Sequence, residues 1–210
     1  MIDKFFVWLG QSKGWKWFAN NIIAKVNFRF LGYPTLDSDE LFKIVDIINN
    51  QKDSAIYAFA SSDDKSLASI LIRWITGETK HSHAGLILPG NDREIKALHM
   101  KGDGVHHEHL LKVLEESDRF TVVKIDLSKE SHLIAKNRIQ EILDKKDQIV
   151  YDFAQMLSTD EKLYCSELVY KVVGNLLPEE KLILKYILGR EAFDPEAVLE
   201  LGRIIYPTLS

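Results

Sequence analysis

Residues 164–170 read Tyr164-Cys165-Ser166-Glu167-Leu168-Val169-Tyr170, and the run continues through Lys171, Val172 and Val173 to Leu176. Leu168, Val169, Val172 and Val173 recur at helical spacing, and Cys165, four residues before Val169, falls on the same apolar stripe. The spacing predicts a helix over 164–176 that begins at Cys165 and turns the thiol toward the interior. A helix start supplies backbone N–H groups without intrahelical partners and the positive end of the helix dipole, both of which stabilise a thiolate. The N–H of Cys165 and a neighbouring one are also placed to donate to an oxyanion. Cys165 is the sole cysteine of the chain, so no internal disulfide forms, and its competing reading is a small apolar filler.

Working back from that helix, a cysteine nucleophile needs a base within hydrogen-bond reach and a third polar group to orient it. His83 to Leu88 and Glu94 to Met100 are apolar-rich runs joined by Pro89-Gly90-Asn91-Asp92, a turn signal that makes them an antiparallel hairpin. Ser54 to Ala60 and Phe120 to Leu127 read as further strands. Asp37 to Asn50 opens on a capping-box spacing and places Leu41, Ile44, Val45 and Ile48 on one face, so it reads as a helix. Leu67, Ile70, Leu71 and Trp74 mark a second helix that stops at Gly77. A third covers residues 129–145, and two more follow, Glu179 to Leu188 and one begun by Asp194 and Pro195. Antiparallel strands with segregated helices make the expected fold class α+β.

The chain of 210 residues, 46% apolar and 28% charged, has the make-up of one ordinary globular core. We divide it into an N-terminal helical segment, 1–50, and a catalytic domain with C-terminal helices, 51–210, forming a single unit. A formal net charge of −4 gives no general attraction for phosphate backbones, and no local basic patch stands out, which sets nucleic acid aside as a partner. The apolar run ending at Gly10 is too short for a membrane span or an ordinary signal-peptide core, so the expected location is cytoplasmic. Phe5, Phe6, Trp8, Trp15, Trp17 and Phe18, interleaved with Lys4, Lys13 and Lys16, read either as a helix packed on the domain or as a peripheral contact with a lipid headgroup layer.

Two stretches carry a family resemblance. Lys80-His81-Ser82-His83-Ala84-Gly85-Leu86-Ile87-Leu88 resembles the serine-histidine-small-glycine strand of the permuted branch of the NlpC/P60 superfamily, which includes the YiiX-like and YebB-like cysteine hydrolases. Tyr164 to Tyr170 resembles that branch's nucleophile helix nearly residue for residue. Ser66 to Thr76, Gly104-Val105 and Tyr151-Asp152 agree in order, so the likeness spans roughly residues 52 to 173. It implies a circularly permuted papain-like fold with His83, the base, ahead of Cys165, the nucleophile. It also implies amide, ester or thioester targets in a peptide- or lipid-like acyl substrate, and a mechanism with no cofactor. Relatives carry a glutamate before the alanine that matches Ala97, where this chain has Lys96, and a charged lysine cannot accept from an imidazole. Counting back from Gly104-Val105 makes His99 the third catalytic group, with Glu94 as the alternative.

Six of the seven histidines lie between His81 and His109, and His106-His107-Glu108-His109 invites a metal reading, although no HExxH or recognisable zinc spacing is present. A solvated loop explains His106, His107 and His109 more simply, and His81 and His132 read as surface residues. Beside the cysteine enzyme stand two other expectations: a metal-dependent hydrolase built on the histidine cluster, and a non-catalytic binding module, which the Lys96 departure favours.

Overall fold

The computed structural model describes residues 36, 38–50, 55–64, 66–77, 80–90, 94–152, 162–187 and 190–207. The aromatic N-terminal stretch, and with it the choice between packed helix and lipid contact, lies outside them. Among the described residues six strands form one antiparallel sheet. In chain order they are β1 (Ala55–Ser62), β2 (His83–Pro89), β3 (Ile95–Lys101), β4 (Gly104–His109), β5 (Arg119–Asp126) and a last strand, Arg203–Tyr206. Across the sheet the order is last strand, β5, β1, β2, β3, β4.

Both faces of the sheet are covered, which is why β1 is buried along its whole length. Strand alternation divides its side chains between two core layers. Ile56 and Ala58 of β1, Ala84 and Leu86 of β2, and Leu98 and Met100 of β3 share one layer with Leu168, Val169, Val172 and Val173. Those four belong to the helix Cys165–Val173 and are fully buried, each contributing about 1.5–3 kcal/mol relative to exposure. Tyr57, Phe59, Ile87 and Ala97 face the other layer. There they meet α1 (Ser38–Asn49), through Leu41, Ile44, Val45 and Ile48, and a short helix, Leu110–Glu115, through Leu110, Val113 and Leu114.

The remaining elements are α2 (Leu67–Thr76), α3 (the Leu110–Glu115 helix), α4 (Lys129–Asp144), β6 (Val150–Tyr151), β7 (Lys162–Leu163) and α5 (Cys165–Val173). They are followed by β8 (Lys185–Ile187), β9 (Arg190–Ala192) and β10 (Arg203–Tyr206). α2 is capped by the Ser66 side chain and ends at Gly77, whose φ of 71° is the left-handed conformation that favours glycine. Arg138 of α4 donates to the carbonyls of Lys171 and Val172 and to Asn175, placing a cation at the negative end of α5.

Three expectations need correction. The helix expected over Glu179–Leu188 is a single 3-10 turn, Glu179–Lys181, followed by β8, which pairs with β9. The helix expected from Asp194 is a 3-10 turn, Ala197–Leu201, and β10 then joins the sheet beside β5. In both places short segments rich in β-branched and aromatic residues take the pairing that neighbouring strands offer over their local helical spacing. The residues read as a solvated histidine loop are β4, an edge strand reached through a two-residue turn that pairs Lys101 with Gly104.

Candidate active site

The antiparallel register assembles a line of three side chains. Gly85 lies opposite His99, His99 opposite His106, and Ala97 opposite Glu108, so His83, His99 and Glu108 share one face of the sheet. His83 Nε2 lies 2.7 Å from His99 Nδ1, and His99 Nε2 lies 2.9 Å from Glu108 Oε1. Phe59 packs against both imidazoles, with ring centroids 6.0 and 6.1 Å away.

Glu108 fixes which nitrogen of each ring carries a proton. Its carboxyl is held well below the usual carboxylate range, first by the hydrogen bond from His99 and then by those from Lys101 and Lys112, against the opposing effect of burial. Burial is also the main reason that His83 and His99 are pushed below the ordinary imidazole value, so at neutral pH each ring is uncharged and bears a single N–H. An ionised Glu108 accepts from His99 Nε2–H, leaving His99 Nδ1 with its lone pair. His83 Nε2–H donates to that lone pair. The lone pair of His83 then rests on Nδ1, the ring nitrogen nearer the backbone.

Cys165 opens α5 in the opposite core layer, packed with Ala84 and Leu86, and is 3% exposed. Among the described residues, pairing of β2 with β3 begins only at Gly85↔His99, so the β3 side of β2 is open at His83 and Ala84. There the Ala84 N–H donates to Sγ. The thiol therefore sits one peptide unit from His83 at an opening in the sheet, while the His83 ring turns to His99 and Phe59. Parallel pairing of β6 with β7, Tyr151 opposite Leu163, brings the Tyr151 hydroxyl into a hydrogen bond with the thiol. Burial keeps that hydroxyl protonated to well above the ordinary tyrosine value.

The helix start alone would lower the thiol's pKa, but the structure places the net effect the other way. Burial pushes the Cys165 thiol up, and hydrogen bonds from Ala84 and Ser166 only partly offset it. With His83 pushed down as well, the thiol is protonated and the imidazole neutral at rest, rather than thiolate and imidazolium. Alkylation by iodoacetamide is accordingly expected to be slower at pH 7 than that of a small free thiol, and to rise with a midpoint above that of an ordinary thiol. Rapid labelling at pH 6 would show a thiolate already formed.

Gly85 explains the small-glycine step after His83. A Cβ there would lie 2.7 Å from His99 Cβ and 2.7 Å from two Phe59 ring carbons. Gly85→Ala is expected to cost about 1–3 kcal/mol by overpacking and to displace His99 from His83. Urea denaturation and imidazole NMR shifts check both effects, and unchanged shifts would contradict the second.

Glu94 is half exposed and pairs with Lys96 at 3.1 Å, outside the histidine line. His106 pairs with Asp103, and His109 caps α3 by accepting from the Leu111 N–H. His81 is a buried residue, not a surface one, 2% exposed and hydrogen-bonded to Glu196 and Thr121. His132 is partly buried.

No family model and no curated protein matches the chain. A solved structure does: that of the metalloprotein yiiX from Escherichia coli O157:H7, at 19% identity and a TM-score of 0.57, covering 76% of this chain and 98% of that one. The chain has the yiiX fold. The likeness is one of fold, and the word metalloprotein belongs to yiiX. In the present chain the imidazole nitrogens of His83 and His99 are each other's hydrogen-bond partners, and the second nitrogen of His99 is taken by Glu108. Among the described residues no three or more His, Cys, Asp or Glu side chains are grouped to hold a metal ion. In this arrangement three of the four ring nitrogens of His83 and His99 are engaged in hydrogen bonds rather than free to ligate a metal. No described helix is long and apolar enough to cross a membrane.

Proposed function

We propose that the protein is a cysteine-nucleophile hydrolase or acyltransferase acting on an amide, ester or thioester bond, on a permuted papain-like form of the yiiX fold. The observation that carries the proposal is the Glu108–His99–His83 line, which ends one residue from Ala84, whose N–H meets the Cys165 thiol.

In this reading Sγ attacks the acyl carbon as its proton passes to His83 Nδ1. The positive charge gained by His83 is spread through His99 toward the ionised Glu108. Backbone N–H groups of the first turn of α5, including those of Cys165 and Ser166, receive the oxyanion. The C–X bond breaks as His83 returns the proton to the leaving group, which frees the thioester of Cys165 for attack by water or another acceptor. Peptide- and lipid-like acyl groups both suit this chemistry.

The test is the time course of p-nitrophenol release from p-nitrophenyl acetate. A burst of about one equivalent per chain, followed by a slower steady phase, is the expected signature of a covalent acyl-enzyme. Linear release that persists in Cys165→Ala would overturn the proposal.

A further inference from the structure

Residues 193–196 touch both halves of the proposed site. The Phe193 N–H donates to the Tyr164 hydroxyl at 2.8 Å, and the Phe193 carbonyl accepts from the Ser166 hydroxyl. Tyr164 and Ser166 flank Cys165. Three residues on, Glu196 Oε1 accepts from the His81 backbone N–H at 3.0 Å and faces His81 Nδ1 at 2.9 Å. His81 stands two residues before His83, and its other ring nitrogen is held by Thr121 Oγ1 at 3.2 Å. Between these anchors, Asp194 accepts from the Ala197 N–H at 2.8 Å and pairs with Lys185, which stiffens the turn.

A four-residue segment from the end of the chain thus links the start of the nucleophile helix to the approach of the base strand, elements about 80 positions apart in sequence. At His83–Ala84 the sheet holds β2 through its pairing with β1, while the β3 ladder begins only at Gly85, so the strap adds a second hold beside that of β1. We propose that Glu196 is a positioning residue: through His81 it sets where His83 stands relative to Cys165, and residues 193–196 hold the two in register for proton transfer. The proposal rests on the cysteine–histidine reading above.

The test compares two rates in the full chain. Acetylation of Cys165 by p-nitrophenyl acetate at pH 7 needs His83, whereas alkylation by iodoacetamide at a pH above the thiol's titration does not. In Glu196→Ala, acetylation is expected to fall about 10–100-fold while alkaline alkylation stays within about twofold, since a small misplacement of a reacting group has costs of that order. Glu196→Gln keeps an oxygen that accepts both His81 N–H groups, and it should restore acetylation to within about threefold of wild type. Tyr164→Phe removes the hydroxyl that accepts from the Phe193 N–H, which cuts the strap at its other end, and it is read in the same way if Glu196→Ala does not fold.

Wild-type acetylation in Glu196→Ala would overturn the positioning role. So would a parallel fall in both rates that Gln does not rescue, because that is the mark of a purely structural residue. The His83→Ala control separates the two levels. If the wild type is not acetylated, or is acetylated as fast without His83, the nucleophile–base reading itself fails, and the strap has nothing to position.

Discussion

His83→Ala is expected to lower the rate of Cys165 acetylation at pH 7 by about 10²–10⁴-fold, the range for loss of a general base. The resting thiol is protonated because burial pushes it up, so without the imidazole only the small thiolate fraction present at that pH reacts. The effect should shrink as pH rises. Above the thiol's own titration the variant and the wild type should approach each other, since the thiolate then forms without help. A deficit that stays constant with pH would mean that His83 does something other than remove the proton. Stopped-flow rates from pH 6 to 10 decide between the two.

Glu108→Gln should be nearly as damaging, although the side chain lies two hydrogen bonds from the thiol. An amide can donate to His99 Nε2, and if it does, His99 carries its proton on Nδ1 and donates to His83 Nε2. His83 is then protonated at Nδ1, the nitrogen that must accept. A wrong tautomer behind an intact geometry has cost about 10⁴ in a serine protease triad, and a fall of about 10²–10⁴-fold is expected here. The variant also leaves Lys101 and Lys112 without the carboxylate that both approach. The readout that isolates the tautomer is the imidazole ¹⁵N spectrum. In the wild type His83 should show a protonated Nε2 and a bare Nδ1, and in Glu108→Gln the reverse. Full activity with the wild-type ¹⁵N pattern would remove Glu108 from the line.

Much of this site is legible in the sequence, and its limits follow from the same physics. The helix at Cys165–Val173 announces itself because four fully buried side chains repeat on one stripe, and α1 does so for the same reason. The β2–β3 hairpin is visible from two apolar runs around a turn. β4 is not, because an edge strand that places His106 and Glu108 on one face and Val105 and His107 on the other has no apolar alternation to read. The missing signal was register. A two-residue turn at Gly102-Asp103 pairs Lys101 with Gly104, and counting along that hairpin sets His99 opposite His106 and Glu108 opposite Ala97. That count points to Glu108, which stands outside the choice of His99, with Glu94 as the alternative, as third group.

His81 was hidden for a different reason. Between Lys80 and Ser82 it looks solvated, and what buries it is Glu196, 115 residues later. The C-terminal strands illustrate the same limit. Segments of three or four residues carry little periodicity of their own, and their conformation is decided by the strands they meet. The direction of the thiol's titration also escapes the sequence. A helix start lowers a cysteine pKa in isolation, and only the packed structure shows burial outweighing it.

The proposed chemistry is a covalent bond to one sulfur, formed with the help of one imidazole. The most direct measurement is peptide mapping of the protein quenched in acid within the first turnover with p-nitrophenyl acetate at pH 7, in wild type and in His83→Ala. The expected result is an acetyl group on Cys165 in the wild type and little or none there, at the same quench time, in the variant. Acetylation confined to lysines, or equal acetylation of Cys165 in both proteins, would contradict it.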